Sequence, residues 1–500
     1  MNGSGKINKT RLGSMNEDRN TVGKGLPFNC NLIHHFQTII KFVSVLVSMY
    51  SREIERLLNA GKILEGDAIE VLANGNSHEG ILLPKIPDVD ENVLTLKLTN
   101  GYNVGLKFTP GMQIKKIGSA GKLSQMPKLI VEKKDLPSIA IIATGGTIGT
   151  HIDYKTGGVF MSRSPEEILA MAPDLQNFVN LKNLSSPFRT PSEDMSIENW
   201  KILAKEVARQ ANDPEIKGIV ITHGTDTLHY TASALSFMLK DLGKPVALVG
   251  AQKSPDRGSF DGTLNLICGA RFAAYSNCAE VAIVMHGSDS DEFCLAHRGT
   301  KARKMHSTRR DAFRSVNDSP LAKIFADGKI EMLNDNYKKR NENTTIADSL
   351  MENNIAILKI YPGSDPKLLG FLVSSGCKGV VLEATGLGHV PTGLGGTDAG
   401  VFDKKFNWIP AIQAANESGI VVAITTQTIY GRVSPTVYRN LRLLFDAGAV
   451  FCEDMLTETA YVKLGWVLAN SKNFEDAKKM LLTNIAGELN NRLTEKDILE

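Results

Sequence analysis

The pattern of apolar and polar positions changes character several times along the chain. Residues 1–48 begin with a polar stretch rich in Gly, Asn, Ser and Lys that has no helical or strand period. Such a segment buries too little apolar surface to offset the entropy of ordering it, and reads as a disordered extension. Its most apolar part, residues 36–50, is 15 residues long and contains Lys41, short of the roughly 18–20 apolar residues of a membrane span. It also lies too far in, without a small-residue cleavage site, for a secretory signal. An amphipathic helix is expected over 49–62, and Met49 is a second candidate start of translation. Over 63–118 the pattern turns to short Val-, Ile- and Leu-rich runs at 67–72, 78–84, 93–99, 102–108 and 112–117, separated by turn residues. Asn100-Gly101 between two of them is a hairpin signal. These runs predict a small β-barrel of the SH3 kind, too small to bury much surface and so expected to pack on a larger body. Residues 119–137 read as a linker.

From residue 138 the runs lose their alternation. Residues 139–143, 218–222, 245–250, 281–285, 355–360, 379–383 and 420–425 are continuously apolar, as parallel strands covered on both faces are. Helical patterns lie between them. Ser164-Pro165-Glu166-Glu167 is a capping box, and Ser196 opens a helix predicted over 197–211. The polar stretch 338–351 divides a large α/β domain, 138–345, from a smaller one, 353–470, and a charged helix or two closes the chain over 471–500. The expected fold class is α/β: an SH3-like barrel followed by two domains with doubly wound, mainly parallel sheets.

Composition narrows the function classes. The 500 residues carry a formal charge of +3, which argues against a protein held on DNA or RNA by bulk charge. With 42% hydrophobic and 22% charged residues the chain has ordinary globular composition. Its six cysteines, Cys30, Cys268, Cys278, Cys294, Cys377 and Cys452, form no C-x-x-C pair. They read as small buried side chains of a protein in a reducing, cytoplasmic compartment rather than a disulfide scaffold or zinc ribbon.

Three segments carry candidate chemistry. Thr144-Gly145-Gly146-Thr147 follows the run 139–143, and so lies at the carboxyl edge of a strand, where open α/β sheets bind ligands. It reads as a glycine-rich turn with a capping Thr or as a ligand loop. The spacing matches neither phosphate-binding glycine motif. His223-Gly224-Thr225-Asp226-Thr227 follows the run 218–222 and leads into a helix predicted over 231–240. It is either a helix N-cap or a second hydroxyl and a carboxylate at the same rim. Residues 301–314 hold six basic side chains and one acid. They form a solvated patch for an anionic partner, or one lysine serves as a base. A free lysine has a pKa of about 10.4, and cationic neighbours with partial burial lower it. His286, Asp289, Asp291 and Glu292 lack the spacing of a helical metal motif, so no metal is expected. Cys377 and His389, near another strand end, are given no role.

The segments Thr144-Gly-Gly-Thr147-Ile and His223-Gly-Thr225-Asp226-Thr227, with Lys304 in the basic segment, resemble the L-asparaginase-type amidohydrolases. Ser192-Glu193-Asp194-Met195 resembles the substrate-clamping loop of that family. The resemblance covers roughly 138–470 and keeps the motif order. A small barrel ahead of it, and the run Arg303-Lys-Met-His-Ser-Thr-Arg-Arg-Asp-Ala-Phe-Arg314, are similar to the D subunits of archaeal glutamyl-tRNA(Gln) amidotransferases. The resemblance implies that Thr147 is the nucleophile toward the side-chain amide of glutamine. Thr225, Asp226 and Lys304 would relay the proton. Gly146, Ser192, Glu193 and Gly224 would bind substrate. It implies no cofactor in this chain, a partner E subunit carrying ATP and Mg, charged tRNA met through the complex, and a homodimer at the core of a heterotetramer. No membrane or DNA partner is expected.

One position departs from the family pattern. Stand-alone asparaginases carry a tyrosine in the loop after the first threonine. Val159 stands at the matching position here, with Tyr154 offset as a possible loop tyrosine. The competing readings are a free-standing asparaginase or glutaminase with an accessory barrel, and a non-catalytic scaffold that holds RNA.

Overall fold

The structure, a computed structural model, describes residues 50–83, 85, 90–98, 103–119, 133, 135–146, 150–152, 159–161, 172–254, 260–393 and 403–495. The N-terminal extension, the Asn100-Gly101 turn and the capping box at 164–167 lie outside these residues. So do Thr147 and Tyr154, and the side chain of Val159.

The first body is built on β1 (Asp67–Ala73), β2 (Asn76–Leu82), β3 (Val93–Leu98), β4 (Asn103–Lys107) and β5 (Gln113–Ser119). They form one sheet in the order β4-β3-β2-β1-β5, with every pairing antiparallel. The helix α1 (Arg52–Ala60) closes it by placing Ile54 and Leu58 against Ile69, Val71, Leu82, Leu94 and Leu96. Alternation is visible in β1 and β3 because each puts one face on this core.

The second body explains why alternation vanishes after residue 138. Its eight-stranded sheet uses β6 (Ser138–Ala143), β7 (Asn180–Ser185), β8 (Ile216–Thr222), β9 (Val246–Val249), β10 (Val281–His286) and β11 (Phe293–Arg298). A hairpin of β12 (Ala302–Lys304) and β13 (Phe313–Ser315) stands beside it, and β14 (Ala322–Phe325) and β15 (Ile330–Met332) finish the edge. The order is β15-β14-β11-β10-β9-β8-β6-β7, parallel from β7 to β10 and antiparallel beyond. Ile139, Ile141, Val220 and Val249 point into one apolar layer, and Ala140, Ile142, Ile219, Ile221 and Leu248 into the other. Period two is still present, but both faces are dry, so every position is apolar. Each such Ile or Leu side chain contributes roughly 1.5–3 kcal/mol by leaving water.

The helices α2 (Ile197–Ala211) and α3 (Leu228–Met238) cover one face, and α4 (Gly262–Tyr275) covers the other. Ser196 caps α2 with a full capping box to Asn199. Helix α3 begins and ends earlier than its apolar pattern suggests. Residues Leu239–Lys240 leave it to pair with Ile346–Ala347.

The third body is a parallel four-stranded sheet, β16 (Ile355–Lys359), β17 (Gly379–Ala384), β18 (Val421–Thr426) and β19 (Val450–Phe451). It is wrapped by α5 (Lys367–Ser374), α6 (Ile409–Glu417), α7 (Arg439–Asp446) and α8 (Thr457–Asn470). Helix α8 also lies against α3, through Phe237 stacked on Trp466 and Tyr230 edge-on to Tyr461. The charged C-terminus supplies one described α-helix, α9 (Phe474–Leu481). After it the chain returns to the interior, where Glu488 pairs with Lys463.

Candidate active site

The site begins with two neighbouring strands. β6 and β8 run parallel with Ala143 opposite Thr222, so the loops after them leave the same edge side by side. Thr144 ties them together: its amide and its hydroxyl both donate to the Thr222 carbonyl, at 3.1 and 2.8 Å. Its own carbonyl accepts from the Thr190 amide at 2.9 Å, which draws in the segment before Ser192.

Two glycines then allow backbone to touch backbone. Gly146 has φ +82°, and a Cβ there would run into the backbone of Gly224. A Cβ on Gly224 would lie 2.6 Å from Ser192 Oγ. The stack Gly146–Gly224–Ser192 therefore exists only because two of its members lack a side chain. Ser192 is buried, and its carbonyl accepts from Thr227 Oγ1 at 2.5 Å. Thr227 stands at the N-cap position of α3 without capping it, its hydroxyl being turned to this loop instead. Glu193 is exposed beside it.

A buried hydrogen-bond chain holds the second loop. Trp200 Nε1 donates to Thr231 Oγ1 at 2.9 Å, Thr231 Oγ1 lies 2.9 Å from His223 Nε2, and His223 Nδ1 lies 2.7 Å from the Gly224 carbonyl. An indole only donates and a carbonyl only accepts. The Thr231 hydroxyl therefore donates to Nε2, and Nδ1 carries the imidazole proton. Burial pushes the His223 pKa down to about 4, against the opposing pull of the Gly224 carbonyl. The spacing of the loop gives His223 no role, although a histidine inside a polar strand-end loop is itself a signal of one.

Across this rim comes Lys304, the last residue of β12. Its Nζ donates to Thr225 Oγ1 at 2.9 Å and to Asp226 Oδ1 at 2.7 Å. Thr225 is buried, its methyl group seated over Gly250, while the Asp226 side chain is 64% exposed. Asp226 and Lys304 face an open pocket completed by Met305, His306 and Ser307.

The rest of the basic segment is not a free cationic patch. Lys301 pairs with Asp454 at 2.5 Å and Arg303 with Glu458 at 3.2 Å. Arg309 and Arg314 both grip Asp311, and Arg310 reaches Asp291 at 2.6 Å. The Arg309 and Arg314 guanidiniums hold the Asp311 carboxyl well below the usual carboxylate range. Six cations in sequence are thus matched by carboxylates, mostly from elsewhere in the chain. His286 is equally occupied, its ring nitrogens lying 2.6 Å from Asn265 Oδ1 and 3.0 Å from Asp291 Oδ1. Among the described residues no group of three or more His, Cys, Asp and Glu is arranged to hold a metal. No described helix is long and apolar enough to cross a membrane. The five described cysteines are free and buried.

Comparison with known proteins gives three family matches: "Asparaginase, N-terminal" over residues 138–338, "Glutaminase/Asparaginase C-terminal domain" over 354–481, and "GatD N-terminal domain" over 63–117. Two solved structures are similar at TM-score 0.60. One is the thermostable L-asparaginase from Thermococcus kodakarensis, 27% identical and covering 71% of this chain and all of its own. The other is L-asparaginase I from Vibrio cholerae, 28% identical over the same share and 99% of its own chain. Among curated relatives, the D subunit of the Thermococcus kodakarensis glutamyl-tRNA(Gln) amidotransferase is 45% identical over 88% of this chain and 97% of its own. The D subunit from Pyrococcus furiosus is 46% identical over 86% and 93%, and the one from Methanopyrus kandleri 38% over 89% and 95%. Barrel, asparaginase-type body and end-to-end likeness agree, and the chain belongs to the family of glutamyl-tRNA(Gln) amidotransferase D subunits.

Proposed function

We propose that this chain hydrolyses glutamine to glutamate and ammonia, with Thr147 as nucleophile and Lys304, Thr225 and Asp226 as its proton relay. The observation that carries the reading is the contact of Lys304 Nζ with Thr225 Oγ1 and Asp226 Oδ1, at 2.9 and 2.7 Å, between groups almost eighty residues apart in sequence. A threonine hydroxyl is a weak nucleophile until a positioned base takes its proton. The Thr147 proton passes to Thr225 as the Thr225 proton passes to Lys304, and Thr147 Oγ bonds to the amide carbon. The resulting ammonium returns a proton to the leaving nitrogen, ammonia departs, and water releases glutamate from the acyl-threonine by the same relay. Backbone N–H groups of the two glycine-bearing loops receive the developing oxyanion. Ser192 and Glu193 hold the carboxylate and amino ends of the substrate, against the backbone of Gly146 and Gly224. No step needs a cofactor.

The ammonia passes to a partner E subunit, which uses ATP and Mg to activate glutamate carried on tRNA(Gln). A homodimer of this chain forms the centre of a heterotetramer, and charged tRNA is met through the complex in the cytoplasm. Valine at position 159 leaves the loop without the usual tyrosine, so the first step reaches full rate only in the complex, where Tyr154 or a partner group completes the site. The free-standing asparaginase reading has the two solved asparaginases in its favour.

Ammonia release from glutamine and from asparagine, with and without the partner subunit and charged tRNA, separates these readings. Thr147→Ala, which removes the nucleophile, should abolish ammonia release, and Lys304→Met should lower the rate by about 10²–10⁴-fold, the usual range for losing acid–base assistance. Full activity in Thr147→Ala rejects that nucleophile. An isolated chain as fast as the complex rejects activation on assembly. Asparagine preferred under all conditions favours the free-standing enzyme.

A further inference from the structure

Helix α8 belongs to the C-terminal body, yet it supports both halves of the relay. Toward β12, Thr459 Oγ1 donates to the Thr300 carbonyl at 2.9 Å, and the turn before the helix carries Asp454, which holds Lys301 at 2.5 Å with both side chains fully buried. Toward α3, which follows the loop carrying Thr225 and Asp226, Ser233 Oγ meets Thr459 Oγ1 at 3.1 Å, and Tyr230 meets Tyr461. Glu458, in the first turn of α8, sits where the two supports converge. Its Oε1 is 3.2 Å from Arg303 Nη2 on β12 and 4.0 Å from His229 Nε2 on α3.

Successive side chains of a strand point to opposite faces. Arg303 therefore faces α8 while Lys304 faces Thr225. The Lys301–Asp454 pair fixes the start of β12, and the Arg303–Glu458 pair sets its rotation about that anchor.

We propose that Glu458 is a positioning residue, which holds β12 through Arg303 so that Lys304 Nζ stays in reach of both Thr225 and Asp226. It rests on Lys304 being the base of the proposed reaction. Helix α8 thereby becomes the element through which the C-terminal body acts on catalysis without contributing a group that touches substrate. His229 serves as the neutral packing surface between the acid and the relay. Burial, then Arg303 and Lys304, push its pKa down to about 3.

The test is steady-state ammonia release by the full complex, with rates normalised to folded protein by circular dichroism and with Lys304→Met as control. A misplacement near 1 Å can lower a rate by about 10²-fold. Glu458→Ala should therefore reduce kcat by about 10-fold or more while KM for glutamine moves by less than about 2-fold. Glu458→Gln keeps the shape and an acceptor for Arg303, and should restore part of the loss. Arg303→Gln should match Glu458→Ala, and the double variant should be no worse than either single one. If Lys304→Met is inactive while Glu458→Ala and Glu458→Gln both keep the parent kcat, the positioning role is overturned and the catalytic reading stands. The same follows if the losses in the two singles multiply in the double variant. If Lys304→Met releases ammonia normally, the catalytic reading falls and the positioning role with it.

Discussion

Two lysine–carboxylate pairs lie three residues apart on one segment and have opposite fates. Lys301 and Asp454 meet at 2.5 Å with both side chains 0% exposed. The other Asp454 oxygen accepts from the Asn490 amide at 3.0 Å, and its carbonyl accepts from Asn317. Burial pushes the Lys301 pKa down, opposed by Asp454. Lys304 and Asp226 meet at 2.7 Å, but the carboxylate is 64% exposed and the lysine keeps Thr225 as a second partner. The inner pair is closed on every side and joins one body to another. The outer pair opens on a pocket lined also by Met305, His306 and Ser307. The same two residue types thus form a sealed fastener in one place and a pair open to a pocket in the other, according to what surrounds them.

The largest expected effect breaks the inner pair. Lys301→Met strands a buried carboxylate and should cost about 3–5 kcal/mol of unfolding free energy, whereas Lys304→Met, beside an exposed acid, should stay within about 1 kcal/mol. Denaturant titration of both variants measures the difference, and equal losses would erase the contrast.

A smaller effect comes from acid. His223 and His297 are buried neutral, with pKa values pushed down to about 4 and about 3 by burial. The unfolded chain binds their protons at about pH 6.5. Folding stability is therefore fully present above that pH and is lost as the pH falls toward 4 and below. For His223 the loss is on the order of 3 kcal/mol. Melting curves of His223→Gln across pH 7 to 4 should show a shallower decline than the parent. The same slope in both would remove His223 as a source.

The least change is expected when the inner pair is removed whole. Lys301→Met with Asp454→Leu should recover to within about 2 kcal/mol of the parent, because no unpaired charge remains. A double variant as unstable as Lys301→Met alone would mean that the pair holds the bodies together by more than its own neutralisation.

Much of the architecture was legible because its signals are local. The continuous apolar runs mark strands dry on both faces, and Ser196 marks the start of α2 by chemistry within one turn. Where partners come from far away, local pattern fails. The end of α3 is set by Leu239–Lys240 pairing with Ile346–Ala347, residues over one hundred positions later. The basic segment reads as an open patch because the carboxylates that neutralise Lys301 and Arg303 belong to α8 and the turn before it.

By itself, the sequence determined the fold class, the strand ends where the polar loops emerge, and the residue types present there, because period, capping and turn chemistry act over a few residues. Residue spacing left open which lysine of the six-cation run acts at the rim; the family resemblance pointed to Lys304, and only the tertiary structure shows Lys304 against Thr225 and Asp226 and Lys301 sealed in the interior. Charge pairing depends on distance in space and on burial, and neither is written in the spacing of residues along a chain.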